Sequence, residues 1–184
     1  MNWLWEFDQR TFRLIHQSLH RDFLDPFFWL LSTTGLGYVQ VPLILLGLIW
    51  KSSKRFVVPL LIAFALSGLG NIAIKSLIDR DRPSNLAYAL PQEGFFQESF
   101  PSGHTSTSFG IAFTVVFLTW GSEVLWVGYA TLVWASLVGL SRIYRGVHWP
   151  TDVFGGILVG LVSACATVML VQFFDSKRRR KAAT

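Results

Sequence analysis

Three short polar strings interrupt the long apolar segments of this chain. In chain order they read Lys75-x6-Arg82-Pro83, Pro101-Ser102-Gly103-His104 and Ser141-Arg142-x5-His148-x3-Asp152. Together they supply three cations, two histidines and one carboxylate. Cations hold phosphoryl oxygens, an imidazole attacks phosphorus or protonates a leaving oxygen, and a carboxylate orients an imidazole. The strings therefore contain the groups needed to bind a phosphate, to attack it and to protonate its leaving group.

The elements that must position these strings are apolar helices. Hydrophobic residues make up 52% of the 184 residues and charged residues only 15%, whereas a soluble domain carries about 25% charged residues. We predict a single domain over residues 1–184, an all-α polytopic membrane helix bundle with about five transmembrane spans between residues 27 and 174. The predicted spans cover residues 27–50, 56–78, 103–120, 124–140 and 153–174.

The two ends of the chain differ in character. Residues 1–25 carry aromatic and aliphatic side chains at helical spacing, which predicts an amphipathic helix in the membrane interface, with a loosely ordered tail as the alternative. Residues 175–184 form a basic tail that supplies most of the net charge of +5. No nucleic-acid-binding pattern accompanies that charge, so we predict no nucleic-acid partner. Cys165 is the single cysteine and is predicted to be a small core residue.

The number of spans predicts which side of the membrane each loop occupies. With five spans, the basic loop 51–55 and the basic tail fall on one face, which is predicted to be cytoplasmic. All three polar strings fall on the opposite face, at the ends of the second to fifth spans. We therefore expect the site to face outward and the C-terminus to be cytoplasmic.

The first string offers two cations for phosphoryl oxygens. Lys75 ends a span, where it could alternatively extend to the interface, and Arg82 could be an ordinary loop cation. An ammonium and a planar guanidinium nevertheless suit a phosphate well. The intervening Asp79, Arg80 and Asp81 are interpreted as a solvated patch, with a second-phosphate contact as the alternative for Arg80.

The second string opens the third span. Ser102 suits a helix N-cap, and the first amides of a helix attract anions because they have no intrahelical partner. Gly103 allows the backbone to approach a ligand closely. His104 follows at the mouth of this site, where it could donate a proton to a departing oxygen. Thr105 to Ser108 are expected to pack and hydrogen-bond within the bundle.

The third string pairs a histidine with a carboxylate. His148 and Asp152 are four residues apart and meet if that stretch is helical, which would leave one imidazole nitrogen available for attack. Arg142 would be a third cation on the phosphate. Tyr144 and Trp149 are predicted to be interfacial aromatics, and Arg145 is left open between phosphate and head-group contact. A further set of aromatics could line a path for lipid chains: Tyr88, Phe95, Phe96 and Phe100.

The joint spacing of the strings resembles the type 2 phosphatidic acid phosphatase family, whose signature is K-x6-RP, PSGH and SR-x5-H-x3-D. All three motifs match without gaps or substitutions. The resemblance implies a helical membrane bundle and metal-independent hydrolysis of a phosphomonoester or diphosphate, without a cofactor. It implies that His148 attacks phosphorus, that Asp152 orients it and that His104 protonates the leaving oxygen. The residues implied to hold the phosphate are Lys75, Arg82, Ser102, Gly103 and Arg142.

The resemblance leaves several substrates open. The short chain is similar to small bacterial undecaprenyl-diphosphate phosphatases, so we expect undecaprenyl diphosphate as substrate and a bacterial plasma membrane as location. Phosphatidate and phosphatidylglycerol phosphate are close alternatives. A soluble phosphate ester, as for glucose-6-phosphatase, a vanadium haloperoxidase and an inactive lipid-binding protein are further alternatives. The apolar spans oppose the haloperoxidase, and the presence of both histidines with Asp152 opposes the inactive protein.

Overall fold

The computed structural model of the chain describes residues 3–94 and 97–182. Within these residues the chain forms helices joined by turns and loops, which confirms the predicted all-α class. The helices, in chain order, are α1 (Trp3–Arg13), a π-helical turn (Leu14–Ser18), a 3₁₀ turn (Asp22–Leu24), α2 (Asp25–Thr34), α3 (Gly37–Leu46), α4 (Lys54–Lys75), a 3₁₀ turn (Pro83–Asn85), α5 (Gly103–Thr119), α6 (Leu125–Tyr144) and α7 (Pro150–Ala182).

Helix α5 is the centre of the bundle. Most of its 17 residues are buried, and it packs against α4, α6 and α7. Small residues allow this close approach. A Cβ atom on Gly110 would lie 2.1 Å from Ser67 Oγ of α4, and one on Gly160 of α7 would lie 2.7 Å from the Gly110 nitrogen. The start of α5, where His104 lies, is thereby held among three other helices.

Not every predicted span stands out as a span in the structure. Among the described helices, α4 and α7 are long and apolar enough to cross a membrane, and the bent segment from Asp22 to Leu46 is a third candidate if it counts as one span. Helix α5 begins with a run of Ser and Thr, which its neighbours bury, so this helix has little need of an apolar, lipid-facing surface. The count of five spans stays a prediction.

The predicted first span, 27–50, is a bent pair of helices and not one continuous helix. Helix α2 ends at Thr34, Leu36 has an extended backbone (φ −79°, ψ 138°), and α3 begins at Gly37. The bend between the two helices is 66°. Glycine weakens a helix because its unfolded backbone has more freedom to lose, so Gly35 and Gly37 make this the place where the segment breaks.

The N-terminal segment is helical and has an unusual distribution of side chains. In α1, Trp3 is 72% exposed and Phe7 is 49% exposed, whereas Asp8 is 1% exposed. Phe12 is buried against Ile143 and Trp149. Several apolar side chains at the start of α1 therefore face away from the protein, while Phe12 and the Asp8 carboxylate face it. This is the arrangement expected of a helix between a membrane interface and a protein surface, and its place in the interface stays a prediction.

Helix α7 differs from the prediction in two respects. It has 33 residues and continues as a helix into the basic segment, which the sequence predicts as a tail over residues 175–184. Lys and Arg are good helix formers, and no glycine or proline follows Phe174 to end the helix. Cys165 is exposed on α7, so the predicted core position was wrong. On a membrane helix, apolar neighbours occur on the lipid-facing side as well as in the core.

Candidate active site

The three polar strings meet at one end of the bundle. The ends of α4 and α6 and the beginnings of α5 and α7 carry them. Ser102 N donates to Asp152 O (3.0 Å), and Arg82 Nη1 lies 3.2 Å from His148 Nε2. Lys75 is within electrostatic range of Arg82 and Asp152. His104 is likewise within electrostatic range of Arg142 and His148. The structure thus brings the predicted site residues together from separate parts of the chain.

His148 and Asp152 form the pair that their spacing suggested, although by a different local route. His148 lies in the turn before α7, which begins at Pro150. Asp152 Oδ2 accepts from the Trp149 amide (2.8 Å) and lies 3.3 Å from His148 Nδ1. A proline and a carboxylate in the first turn both favour the start of a helix. The carboxylate therefore caps α7 and orients the imidazole at the same time.

The surroundings of His148 keep its ring neutral. The side chain is buried, and burial lowers its pKa well below the ordinary value of 6.5; the nearby cations Arg82, Arg142 and Lys75 lower the pKa further. With Nδ1–H donating to Asp152, Nε2 carries the lone pair and accepts from Arg82 Nη1. An unprotonated imidazole nitrogen facing a guanidinium is the arrangement that an attack on a phosphate held by that guanidinium requires.

Backbone carbonyls orient the two cations of the first string. Arg82 Nε donates to Gln97 O (2.8 Å) and Arg82 Nη1 to Val147 O (3.0 Å). Lys75 Nζ donates to Glu98 O. A carbonyl holds a cation in place without cancelling its charge. Both cations are therefore oriented while they remain positive toward a phosphate.

The second string caps α5. Ser102 is buried, and its Oγ accepts from the Thr105 amide (3.5 Å) and the Thr105 hydroxyl (2.9 Å). Asn71 of α4 donates to Pro101 O (3.0 Å) and to Ser106 Oγ (3.1 Å). The N-cap interpretation of Ser102 thus agrees with the geometry, and the amides that begin α5 are held at the site.

His104 lies against the break between α2 and α3. A Cβ atom on Gly35 would be 2.9 Å from His104 Cδ2 and 2.7 Å from Val138 Cγ1. Only a residue without a side chain fits between these two groups as they stand. Gly35 therefore has a role that its sequence context did not suggest, because it allows the α2–α3 segment to pack directly on the imidazole.

Glu93 was not predicted, and it orients Arg142. Arg142 is 1% exposed, and its Nη1 and Nη2 each donate to a Glu93 carboxylate oxygen at 2.7 Å. Arg145 Nε donates to the same carboxylate (2.8 Å), a contact that neither of the two alternatives for Arg145 included. Burial alone would raise the pKa of Glu93, but the hydrogen bonds and charges of Arg142 and Arg145 lower it to about 2. Glu93 is therefore ionised at neutral pH.

Arg80 is not part of a solvated patch. Its Nη1 donates to Asp152 Oδ1 (2.6 Å), and its Nη2 donates to Asp8 Oδ2 (2.5 Å). The side chain is 23% exposed. The sequence did not predict this role, because adjacent acidic and basic residues such as those of the first string usually form a solvated surface.

The two aromatics of the third string are buried and not interfacial. Tyr144 and Trp149 are each 1% exposed. The Trp149 ring lies 4.9 Å from that of Trp5 and 5.4 Å from that of Phe12, and its Nε1 donates to Asp81 O (2.9 Å). The N-terminal segment covers both side chains. A segment so distant in sequence gives no local signal that it will do this.

The predicted aromatic path is seen only in part. Tyr88 packs against the cluster that contains Phe12, and Arg13 lies over its ring at 4.5 Å. Phe100 lines a cavity of about 430 Å³ beneath α1, together with Leu4, Trp5, Asp8, Ile78, Arg80 and Thr151. Phe95 and Phe96 lie outside the described residues. A path for lipid chains past these aromatics stays a prediction.

Within the described residues, one group of His and Asp side chains has ligand atoms close enough to hold a metal ion: His20, Asp22 and Asp25. These residues lie outside the three strings. His20 Nε2 is 3.1 Å from Asp25 Oδ1, and the Tyr144 hydroxyl donates to the same oxygen (3.0 Å). The contacts attach the start of α2 to the end of α6.

Comparison with known proteins agrees with the motifs. Residues 56–176 match the model of the PAP2 superfamily. The chain is 32% identical over 146 residues to the putative undecaprenyl-diphosphatase YbjG of Escherichia coli. The aligned region covers 78% of this chain and 70% of that protein.

Two crystal structures have the same fold. Aquifex aeolicus LpxE superposes with a TM-score of 0.78 at 33% identity and covers 89% of this chain and 95% of its own. The PAP2-type phosphatidylglycerolphosphate phosphatase of Bacillus subtilis superposes with a TM-score of 0.77 at 27% identity, covering 96% of this chain and 88% of its own. The match over most of the chain and the assembled motif residues place the chain in the PAP2 superfamily, as a phosphatase of that family.

Proposed function

We propose that the chain hydrolyses a lipid phosphate or diphosphate at the outer face of the membrane through a phosphohistidine intermediate. The observation that carries this proposal is the position of His148, whose Nδ1 is oriented by Asp152 and whose Nε2 faces Arg82. In the first step Nε2 forms a bond to phosphorus while the bond from phosphorus to the leaving oxygen breaks. His104 gives its proton to that oxygen.

The second step releases the phosphate. Water attacks the phosphohistidine, the phosphorus–nitrogen bond breaks, and His104 takes the proton of the water. Asp152 stabilises the positive charge that His148 carries while it is phosphorylated. The cations hold the equatorial oxygens in both steps, which is how most of the barrier to phosphoryl transfer is lowered.

The contacts of Arg142 support its proposed role in holding the phosphate. Its two terminal nitrogens are taken by Glu93, while its buried Nε has no hydrogen-bond partner among the described residues. A buried donor without a partner costs about 1–3 kcal/mol. A phosphoryl oxygen on Nε would satisfy this donor, so we assign this N–H to the substrate, with Ser102 and the Gly103 amide completing the phosphate site.

For the substrate we propose undecaprenyl diphosphate, giving undecaprenyl phosphate and phosphate. The similarity to a putative undecaprenyl-diphosphatase favours it. The solved phosphatidylglycerolphosphate phosphatase makes that lipid, with phosphatidate, the second candidate.

A substrate panel tests the proposal. Purified enzyme in detergent is assayed with undecaprenyl diphosphate, phosphatidylglycerol phosphate, phosphatidate and glucose 6-phosphate. We expect the highest kcat/KM for undecaprenyl diphosphate and a far lower value for the soluble ester. Equal values for glucose 6-phosphate and the lipids would contradict the lipid assignment, and a preference for a glycerolipid would replace our first candidate.

The chemistry is tested separately from the substrate. Activity should survive EDTA, and vanadate should inhibit because it mimics five-coordinate phosphorus. Enzyme incubated with ³²P-labelled substrate and quenched in alkali, where phosphoramidates persist, should carry label on His148. Loss of activity in EDTA that magnesium restores would contradict a metal-independent reaction.

A further inference from the structure

Asp8 is a buried carboxylate in a helix that the three motifs do not include. It is 1% exposed, although most of α1 faces outward. Its Oδ1 accepts from the Thr151 amide (2.9 Å), and its Oδ2 accepts from the Thr151 hydroxyl (2.6 Å) and Arg80 Nη2 (2.5 Å). A buried carboxylate needs such partners because desolvation of its charge is costly. The first turn of α7 and Arg80 supply them.

Arg80 joins this carboxylate to the proposed reaction centre. Its Nη1 donates to Asp152 Oδ1 at 2.6 Å, while Asp152 Oδ2 is 3.3 Å from His148 Nδ1. The contacts run without a gap from Asp8 through Arg80 and Asp152 to His148. Because Nη1 and Nη2 of Arg80 are both directed at carboxylates, this arrangement opposes the alternative that Arg80 binds a second phosphate.

We propose that Asp8 and Arg80 are positioning residues for the reaction, so that the N-terminal helix is part of the catalytic apparatus. This inference rests on the proposed function of His148. The Oδ2 atom of Asp152 holds the imidazole, and Arg80 holds the other oxygen, which prevents the carboxylate from rotating. Asp8 in turn holds the guanidinium, a long side chain that otherwise has considerable rotamer freedom.

The geometry also explains why the anchor comes from α1. Arg80 lies in the loop after α4, where no helix constrains its backbone. Two further contacts attach the same N-terminal segment to the site's surroundings: His16 Nδ1 donates to Tyr144 O (2.7 Å), and His16 Nε2 accepts from the Leu90 amide (3.0 Å). Asp8 therefore belongs to a segment that is itself fixed, and it can fix Arg80.

Kinetics of the full-length enzyme in detergent test this proposal. Asp8→Ala and Arg80→Gln should each lower kcat on the preferred lipid about tenfold or more, with KM within about twofold, because orientation of the nucleophile matters more in the transition state than in the bound substrate. Asp8→Glu and Arg80→Lys should each recover part of the loss. Glu6→Gln, which alters a partly exposed acid on the same helix, should leave kcat unchanged.

A double-mutant comparison separates positioning from a general structural role. If Asp8 acts through Asp152, Asp8→Ala should cost less than about threefold in kcat when Asp152 is already Asn. If the Asp8→Ala and Asp152→Asn losses in kcat multiply fully in the double variant, the proposal is overturned. A wild-type kcat for Asp8→Ala would overturn it as well. If Asp8→Ala unfolds early, Asp8→Asn replaces it in the same comparison, because the amide oxygen still accepts from the Thr151 amide.

The same series shows which proposal has failed. If His148→Ala is inactive while Asp8→Ala and Arg80→Gln are as active as wild type, only the positioning role is contradicted. If His148→Ala retains activity, the phosphohistidine mechanism itself is contradicted.

Discussion

His148 has an oriented partner at each ring nitrogen. Asp152 Oδ2 lies 3.3 Å from Nδ1, and Arg82 Nη1 lies 3.2 Å from Nε2. This arrangement selects the tautomer with its lone pair on Nε2, and burial among cations keeps the ring neutral. At the scale of the residue, the proposed nucleophile is therefore oriented by its neighbours before a substrate binds.

His148→Ala should abolish turnover and leave the protein folded. The substitution removes the proposed nucleophile, and a group of this kind contributes at least about 10²–10⁴-fold to the rate. Turnover of a lipid phosphate by purified enzyme, with thermal unfolding in detergent as the control for folding, measures both effects. A residual rate above about a hundredth of wild type would contradict nucleophilic catalysis by this residue.

Glu93→Gln should destabilise the protein, and the effect should depend on pH. The pKa of Glu93 is lowered from 4.5 to about 2, so its contribution to stability is fully present above pH 4.5 and is lost as the pH falls toward 2. Removing one partner of a buried ion pair costs about 3–5 kcal/mol. The melting temperature of the variant should thus be well below that of wild type at pH 7 and approach it as the pH falls to about 2.

Glu98→Gln is the matched control for Glu93→Gln. Glu98 lies in the same loop, its hydrogen bond with Lys75 uses the backbone carbonyl, and the charge of its carboxylate affects Lys75 less than burial, Arg82 or Asp152 does. The Glu98→Gln variant should have the melting temperature of wild type at both pH values. Equal destabilisation by the two substitutions would mean that the loop tolerates neither change, and that the ion pair with Arg142 is not the cause.

At the scale of the element, the break between α2 and α3 matters more than either helix. Gly35 ends α2, and the chain turns by 66° before α3 begins. The break lets the chain pass directly over His104. The bend therefore shapes one wall of the site, which a straight first span would not do.

Gly35→Ala should lower kcat about tenfold or more, because the added methyl group would contact His104 and Val138 at less than 3.0 Å. In cores of this density such an overlap shifts side chains and costs about 1–3 kcal/mol. Gly68→Ala on α4 is the control, since a Cβ atom there meets nothing within 4 Å. Steady-state kinetics of the two variants make the comparison, and equal activity would show that His104 tolerates displacement.

At the scale of the whole molecule, the arrangement of helices places the site at one end and basic residues at the other. Lys51, Lys54 and Arg55 lie before and at the start of α4, and Lys177 to Lys181 end α7, whereas the ends of α4 and α6 carry site residues. Basic residues usually remain on the cytoplasmic side. We therefore expect catalysis on the outer side.

Cysteine labelling in intact cells tests this orientation. In a background where exposed Cys165 is replaced by Ala, an impermeant reagent should label Ala87→Cys and should not label Ser176→Cys. Ala87 is chosen because it is exposed in the loop before α5, while Ser84 is 7% exposed and would react poorly. Reversed labelling would overturn the orientation and the side of catalysis.

The helical class, the family and the residues of the proposed reaction could all be predicted from the sequence. Apolar runs require helices in lipid, and the three motifs combine the cations, histidines and carboxylate that phosphate transfer needs. The spacing of His148 and Asp152 was local enough to predict their contact. These features are readable because each depends on a few neighbouring residues.

Which other groups reach the site became visible only from the fold. Glu93 contacts Arg142, Asp8 contacts Arg80, and the α2–α3 break contacts His104. The partners in each pair are about 50 residues or more apart in the chain, so no local spacing links them. Buried charges need partners from wherever the fold supplies them, and these partners come from the packing of the N-terminal segment and of residues 84–94 against the bundle.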